Sequence, residues 1–141
     1  MSGSHGGSGS GHTISGTSNN DSLQGTSCDD TIYGQQGQDR IEGRGGDDDI
    51  YGGDGNDTLY GGSGDDLIDG GTGSDKIYGG AGNDTLYGGD TNDTIYGGSG
   101  NDWIEGGNVE RLSRGRARQR HALWRRGRGH ADRRLGRRPA R

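Results

Sequence analysis

The sequence predicts an all-β fold: a parallel β-roll, a right-handed β-helix-like solenoid of tandem nonapeptide repeats, with disordered termini. Three observations carry that expectation. From Gly16 to Glu105 the chain divides into ten consecutive nine-residue units without insertion or deletion. Each unit has Gly first, Asp sixth, and Leu or Ile eighth. The composition also leaves no ordinary core, since 22% of residues are apolar, 35 of 141 are Gly and Phe is absent. So little apolar surface cannot by itself offset the entropy lost on ordering a chain.

The strand is the first element. Thr58-Leu59-Tyr60 is typical: side chains alternate between the two faces of a strand, so Leu59 points inward while Thr58 and Tyr60 face solvent. The same reasoning places Leu23, Ile32, Ile41, Ile50, Ile68, Ile77, Leu86, Ile95 and Ile104 inside. All six tyrosines occupy the ninth position; Tyr60, Tyr78 and Tyr96 fall on one outer face and Tyr33 and Tyr51 on the other, as ladders of cross-strand aromatic contacts in preference to a sugar- or surface-binding face. A half-repeat with Thr13, Ile14 and Ser15 as its strand precedes the first full unit.

The turn is the second element. Six residues such as Gly61-Gly62-Ser63-Gly64-Asp65-Asp66 reverse the chain, and glycines permit the positive φ and close approach that this needs. Two units then make one coil of strand, turn, returning strand and turn. Coils stack their strands in parallel about 4.8 Å apart, giving two narrow sheets with a thin Leu/Ile interior.

Stacking aligns the sixth-position aspartates into two columns. Asp21, Asp39, Asp57, Asp75 and Asp93 form one; Asp30, Asp48, Asp66, Asp84 and Asp102 form the other. Two carboxylates one coil apart repel by about 3–4 kcal/mol at an effective dielectric near 20, so the folded roll needs a cation between coils. The available ligands are all oxygen, from Asp carboxylates and turn carbonyls. Irregular oxygen cages suit Ca²⁺ better than Mg²⁺, and the repeats hold no His and one Cys for zinc. These ten aspartates are the candidate metal ligands. With four gaps per column, about eight calcium ions are expected if every gap fills.

The nonapeptide resembles the repeat-in-toxin (RTX, hemolysin-type) pattern G-G-x-G-x-D-x-U-x, with U a large apolar residue. The match is closest from Gly52 to Glu105, departing there only at Thr91. It is looser earlier, with Thr17, Thr26, Gln35 and Arg44 at the second position and Asn19 and Cys28 at the fourth. The resemblance implies calcium held between coils by the sixth-position Asp and backbone carbonyls, in a module that stabilises a secreted protein. It also implies an extracellular location, and in a longer relative an export machinery that reads a C-terminal signal. The function expected is therefore calcium binding coupled to folding, unfolded at cytosolic calcium and folded at extracellular calcium. Alternatives are a calcium-dependent adhesion or surface-binding module, and the remnant of a secreted RTX enzyme or toxin. The mixed seventh position (Ser22, Arg40, Asp49, Leu67, Lys76 and Trp103 among four Thr) argues against a regular Thr-lined binding face.

Other features carry less. No Ser/His/Asp, Cys/His or paired-carboxylate constellation appears apart from the repeat, so no enzyme activity is expected. Asn20-Asp21-Ser22, Asn56-Asp57-Thr58, Asn83-Asp84-Thr85 and Asn92-Asp93-Thr94 fit the glycosylation pattern, but the repeat generates it by itself. Asp47-Asp48-Asp49 lacks the Gly and distal Glu of an EF-hand loop. Cys28 is the sole cysteine, which excludes an internal disulfide, and it reads as drift from Gly. His5 and His12 read as solvated. No apolar run is long enough to span a membrane. Met1 to Gly11 has no apolar stretch to act as a secretory signal.

The expected organisation is a Gly/Ser leader (1–12), the roll (13–107) and an Arg-rich tail (108–141). Charge splits at the last boundary: 19 acidic and 3 basic residues between Gly16 and Gly107, then 13 Arg and 2 acids beyond. A tail so rich in Arg looks like a nucleic-acid-binding arm, yet the acidic roll would compete for it, and no nucleic acid partner is expected. Residues 124–139 are also compatible with a coding sequence whose neighbouring frame reads Gly-Gly-Ala-Gly-Ala-Asp-Thr-Leu-Thr-Gly-Gly-Ser-Gly-Ala-Asp. The recovered Gly pairs keep the nine-residue phase of Gly106, so the tail reads as repeat sequence displaced by a net one-base shift near Asn108.

Overall fold

The computed structural model describes residues 10–106, 113–114 and 121–123. Every regular element in them is a strand: β1 (Thr13–Ser15), β2 (Ser22–Gln24), β3 (Thr31–Gln36), β4 (Arg40–Arg44), β5 (Asp49–Asp54), β6 (Thr58–Ser63), β7 (Leu67–Thr72), β8 (Lys76–Ala81), β9 (Thr85–Tyr87), β10 (Thr94–Ser99), β11 (Trp103–Glu105), β12 (Ser113–Arg114) and β13 (His121–Leu123). The odd-numbered strands form one sheet in sequence order and the even-numbered strands form the other. All pairings are parallel, and each joins residues 18 apart, as in Ile32↔Ile50 and Leu59↔Ile77. The chain therefore folds as the parallel β-solenoid its repeat predicts, with two nonapeptides per coil.

The interior is one file of aliphatic side chains. Ile32, Ile41, Ile50, Leu59, Ile68, Ile77, Leu86, Ile95 and Ile104 are buried at 0–1% exposure. Ile14 and Leu23, in the first coil, are only partly buried against them. Burying each such side chain contributes about 1.5–3 kcal/mol. On the outside Tyr33 stacks on Tyr51, and Tyr60, Tyr78 and Tyr96 stack in series, with centroids 4.8–5.1 Å apart. The Arg40 guanidinium caps the second ladder, 4.8 Å from the Tyr60 ring. The ring faces are thus largely spent on one another.

Most strands run past the three residues the sequence predicts. In β5, β6, β7 and β8 pairing continues through the first three turn positions, as in Gly53↔Gly71 and Asp54↔Thr72. Backbone amides there must find partners, and the coil above supplies them. Glycine makes the approach possible. A Cβ on Gly53 (φ +101°) would meet the Gln35 carbonyl oxygen one coil below. Three non-glycine residues, Gln35, Arg44 and Thr91, are held at φ 82°, 83° and 75°, a conformation that costs an L-residue about 1–2 kcal/mol.

Three strands stay short where a threonine stands in place of a turn glycine. β1, β2 and β9 each have three residues, and their turns carry Thr17, Thr26 and Thr91. In the first two turns none of Thr17, Asn19, Thr26 or Cys28 has positive φ. Instead the N–H groups of Asn19 and Cys28 each donate to a threonine hydroxyl, Thr17 and Thr26 respectively, at 3.0 Å. Cys28 thus belongs to a differently built turn, in which its N–H donates to the Thr26 hydroxyl.

The leader and tail expected to be disordered fall largely outside the described residues. Within the tail, β12 and β13 extend the two sheets in the same 18-residue register, through Ile95↔Ser113 and Ile104↔Ala122. No helix among the described residues is long and apolar enough to cross a membrane.

Candidate metal centre

Strand register places the ten sixth-position aspartates on the two edges of the roll, at the foot of each turn. Nine of them, from Asp30 to Asp102, are buried at 0–2% exposure; Asp21 is half-buried. Within each column the main-chain N–H of one Asp donates to Oδ1 of the Asp one coil on. Asp39 donates to Asp57, Asp57 to Asp75, Asp48 to Asp66 and Asp66 to Asp84, at 2.8–2.9 Å. One carboxylate oxygen is therefore used to stitch coils together.

The other oxygen, Oδ2, is what distinguishes these turns. In Asp39, Asp48, Asp57, Asp66, Asp75, Asp84 and Asp102 it is buried with no hydrogen-bond donor. From Asp39 to Asp84 it lies beside the first-position glycine of its own turn, where the next coil's first-position carbonyl also points. A Cβ placed on Gly52 would sit 2.6 Å from Asp57 Oδ2 and 2.7 Å from the Gly70 carbonyl oxygen. A Cβ placed on Gly70 would likewise sit 2.5 Å from Asp75 Oδ2 and 2.8 Å from the Gly88 carbonyl oxygen. This is why the first position is always Gly: the space over it is bounded by two acceptors. Two acceptors facing one space with no donor between them are unfavourable unless a cation or proton joins them.

The carboxyls register that environment. Burial pushes Asp57 up to about 6, Asp48, Asp75 and Asp84 to about 7, and Asp66 to about 8. Burial also raises Asp39 and Asp102. Neighbouring carboxylates push in the same direction; Asp30, Asp29 and Asp47 act on Asp48.

Asp30 behaves in the opposite way. Burial pushes it up, but donors from Thr26 and His12 outweigh burial and bring it below the usual carboxylate value. Its Oδ2 accepts from the Thr26 N–H at 2.5 Å and the Thr26 hydroxyl at 2.9 Å, and its Oδ1 from the His12 N–H at 2.7 Å. Asp21 has the same arrangement with Thr17, at 2.6 Å and 3.0 Å. His12 stands nine residues before Asp21, at the column position of the preceding half-repeat. Its side chain is 60% exposed, with Nδ1 3.5 Å from Asp30 Oδ1. The solvated histidine read from the sequence is therefore joined to the first column residue through its backbone. His5 lies outside the described residues.

The two edges differ at the fifth position, which the repeat leaves open. Asp29, Asp47 and Asp65 flank the column of Asp30, Asp48 and Asp66. Asn20, Gln38, Asn56 and Ser74 flank the other. Both kinds serve the same backbone role: Asp47 Oδ1 accepts from the Asp65 N–H, and Asn56 Oδ1 from the Ser74 N–H, each at 2.8 Å. Only the first edge adds charge. Among the described residues no three His, Cys, Asp or Glu side chains converge as a metal-binding group, so a cation here would depend on backbone carbonyls as well.

A family model for the RTX calcium-binding nonapeptide repeat, described as four copies, matches residues 5–41, 15–50, 42–77, 60–94 and 78–108. No curated protein matches the chain.

Proposed function

The chain belongs to the RTX calcium-binding nonapeptide-repeat family, and on that premise we propose that it binds Ca²⁺ between coils and folds as it does so. The observation that carries this reading is the row of buried Oδ2 atoms without donors on both edges, which from Asp39 to Asp84 lie beside a carbonyl oxygen of the next coil. The donor set fits the ion, being hard oxygens in an irregular cage with no nitrogen or sulfur. Asp39, Asp57 and Asp75, with Asp93 continuing their column, would hold calcium on one edge, and Asp48, Asp66, Asp84 and Asp102 on the other.

Bound calcium supplies the positive charge that relieves carboxylate repulsion and satisfies the orphaned oxygens. The chain supplies the rest. Oδ1 fixes coil-to-coil register through a main-chain hydrogen bond, which leaves Oδ2 and the glycine carbonyl as a preformed pair of acceptors. Leu/Ile burial alone is a thin interior, so the cation's contribution decides whether the roll is populated. The biological role follows from linkage. The repeats remain expanded where calcium is scarce and fold where it is plentiful, which suits a segment carried out of a cell and stabilised outside it.

The test is far-UV circular dichroism of the full chain during a CaCl₂ titration, with MgCl₂ as control and chelator reversal. A cooperative, reversible gain of β signal with calcium alone is the expected result. No change up to about 10 mM, the weak end for extracellular calcium modules, would end this reading.

The tail has its own proposal, that residues 108–141 are displaced repeat sequence. Its support is phase: β12 and β13 pair 18 residues beyond β10 and β11, as the next coil of an uninterrupted array would. Sequencing the coding DNA tests it. If no single-base correction restores the nonapeptide after Asn108, the proposal is lost.

A further inference from the structure

The first two turns are built differently from those that follow, in the atoms that the calcium reading depends on. From Asp39 onward, turns place a positive-φ residue at the second position, such as Gln35, Arg44 and Gly53. In the turns ending at Asp21 and Asp30, Thr17 and Thr26 stand there without positive φ. Their N–H groups point at the carboxylate, 2.6 Å and 2.5 Å from Oδ2. Their hydroxyls reinforce this at 3.0 Å and 2.9 Å, and accept from the Asn19 and Cys28 N–H groups. Each threonine thus closes a ring of three hydrogen bonds within one turn.

We infer that the first coil is a metal-free cap: Thr17 and Thr26 fill the carboxylate oxygens of Asp21 and Asp30 that later turns leave for an ion, so calcium sites begin at Asp39 and Asp48. The inference rests on the calcium-binding reading and accounts for why, of the ten candidate aspartates of the repeat, only the eight from Asp39 onward would serve it.

The chemistry follows from donor count. A carboxylate oxygen that accepts two hydrogen bonds has its lone pairs directed at protons, and a cation must displace both donors to bind. Asp30 is further committed because its Oδ1 takes the His12 N–H. Its Oδ1 and Oδ2 are therefore both occupied by the chain. A coil whose carboxylates are satisfied within their own turns is suited to the end of a repeat array. Here the paired substitutions at the second and fourth positions, Thr17 with Asn19 and Thr26 with Cys28, provide such a unit.

The experiment counts bound calcium on the full chain by equilibrium dialysis, with folding followed by circular dichroism. Asp21→Asn with Asp30→Asn should leave the count unchanged, whereas Asp57→Asn with Asp66→Asn should lower it. Converting the cap to the standard turn (T17G, N19G, T26G and C28G together) should add about one ion on each edge. Thr17→Ser with Thr26→Ser, which keeps the hydroxyls, should match the unaltered chain. A count that falls for the Asp21/Asp30 pair as it does for the interior pair, or no gain on conversion, overturns the cap. If the unaltered chain binds no calcium, the calcium reading itself fails and the cap falls with it, an outcome distinct from the other two.

Discussion

The main-chain N–H of Asp57 donates to Oδ1 of Asp75 at 2.8 Å, while Oδ2 of Asp75 is buried with no donor at all. One oxygen of the carboxylate is therefore structural and the other is without a donor. The structural oxygen needs only to accept, which an amide oxygen also does. The other needs a cation, a proton or a donor.

Asp75→Asn should separate the two halves. The amide oxygen can keep the bond from Asp57, and the amide nitrogen can donate toward the Gly88 carbonyl oxygen. The metal-free roll should gain stability, on the order of 1–2 kcal/mol for a satisfied buried acceptor and a removed charge. Its calcium-induced gain should shrink at the same time. Chelated samples compared by circular dichroism and urea midpoint read both effects. A variant less folded than the parent without calcium would refute the assignment of Asp75 Oδ2 as the oxygen without a donor.

The raised carboxyl values give a pH dependence of definite sign. Burial holds Asp57 near 6, Asp48, Asp75 and Asp84 near 7, and Asp66 near 8 in the folded chain, against about 3.9 when unfolded. Between those values the folded state binds more protons than the unfolded state, so stability falls as pH rises. The metal-free roll should be most stable near pH 4 and lose that stability as pH climbs through 6 to 8. Chelated chain should show more β signal at pH 5 than at pH 8.5, and calcium binding at pH 7 should release protons into the buffer. Equal signal at both pH values would mean that the carboxylates ionise freely.

Much of this was legible in the sequence because the repeat has a fixed phase. Gly, Asp and Leu/Ile recur at fixed offsets, so strand direction, the aliphatic file and both Asp columns followed from period two within the strand and period 18 between coils. The first coil was not legible in the same way. Thr17 and Cys28 look like erosion of a glycine pattern, and only coordinates show that Thr17 with Asn19, and Thr26 with Cys28, make one alternative turn. A signal did exist, since the two positions depart together in both units. His12 was missed because its contribution is a backbone N–H, which no side-chain pattern reports. The reach of the strands into the turns was missed because glycine-rich segments read as reversals, although their backbone groups pair with the coil above.

The strained second positions offer a test of the turn itself. Gln35 and Arg44 hold φ of 82° and 83° where later coils have Gly. Gln35→Gly together with Arg44→Gly should stabilise the calcium-loaded roll by about 1 kcal/mol per site, the cost of a left-handed L-residue less glycine's greater freedom when unfolded. By contrast Gly52→Ala should destabilise it by roughly 1–3 kcal/mol, because the new Cβ would press on Asp57 Oδ2 and the Gly70 carbonyl oxygen. Thermal midpoints at saturating calcium measure all three changes. A neutral Gly52→Ala would mean that the space over Gly52 is wider than the coil stacking implies.

The unequal edges should fill unequally. Asp47 and Asp65 give the same backbone bonds as Asn56 on the opposite edge, but they add charge beside Asp48, Asp66 and Asp84, whose carboxyls Asp47 already disturbs. Cations should therefore enter this edge first. Asp47→Asn with Asp65→Asn preserves every acceptor and should raise the calcium midpoint about three- to tenfold at low salt, about 1 kcal/mol. The difference should largely vanish in 1 M KCl, where charges are screened within about 3 Å. Asn56→Asp on the other edge should act in the opposite direction. Calcium titrations at two ionic strengths distinguish this from a structural role, since a lost turn contact would persist in high salt and a lost field would not.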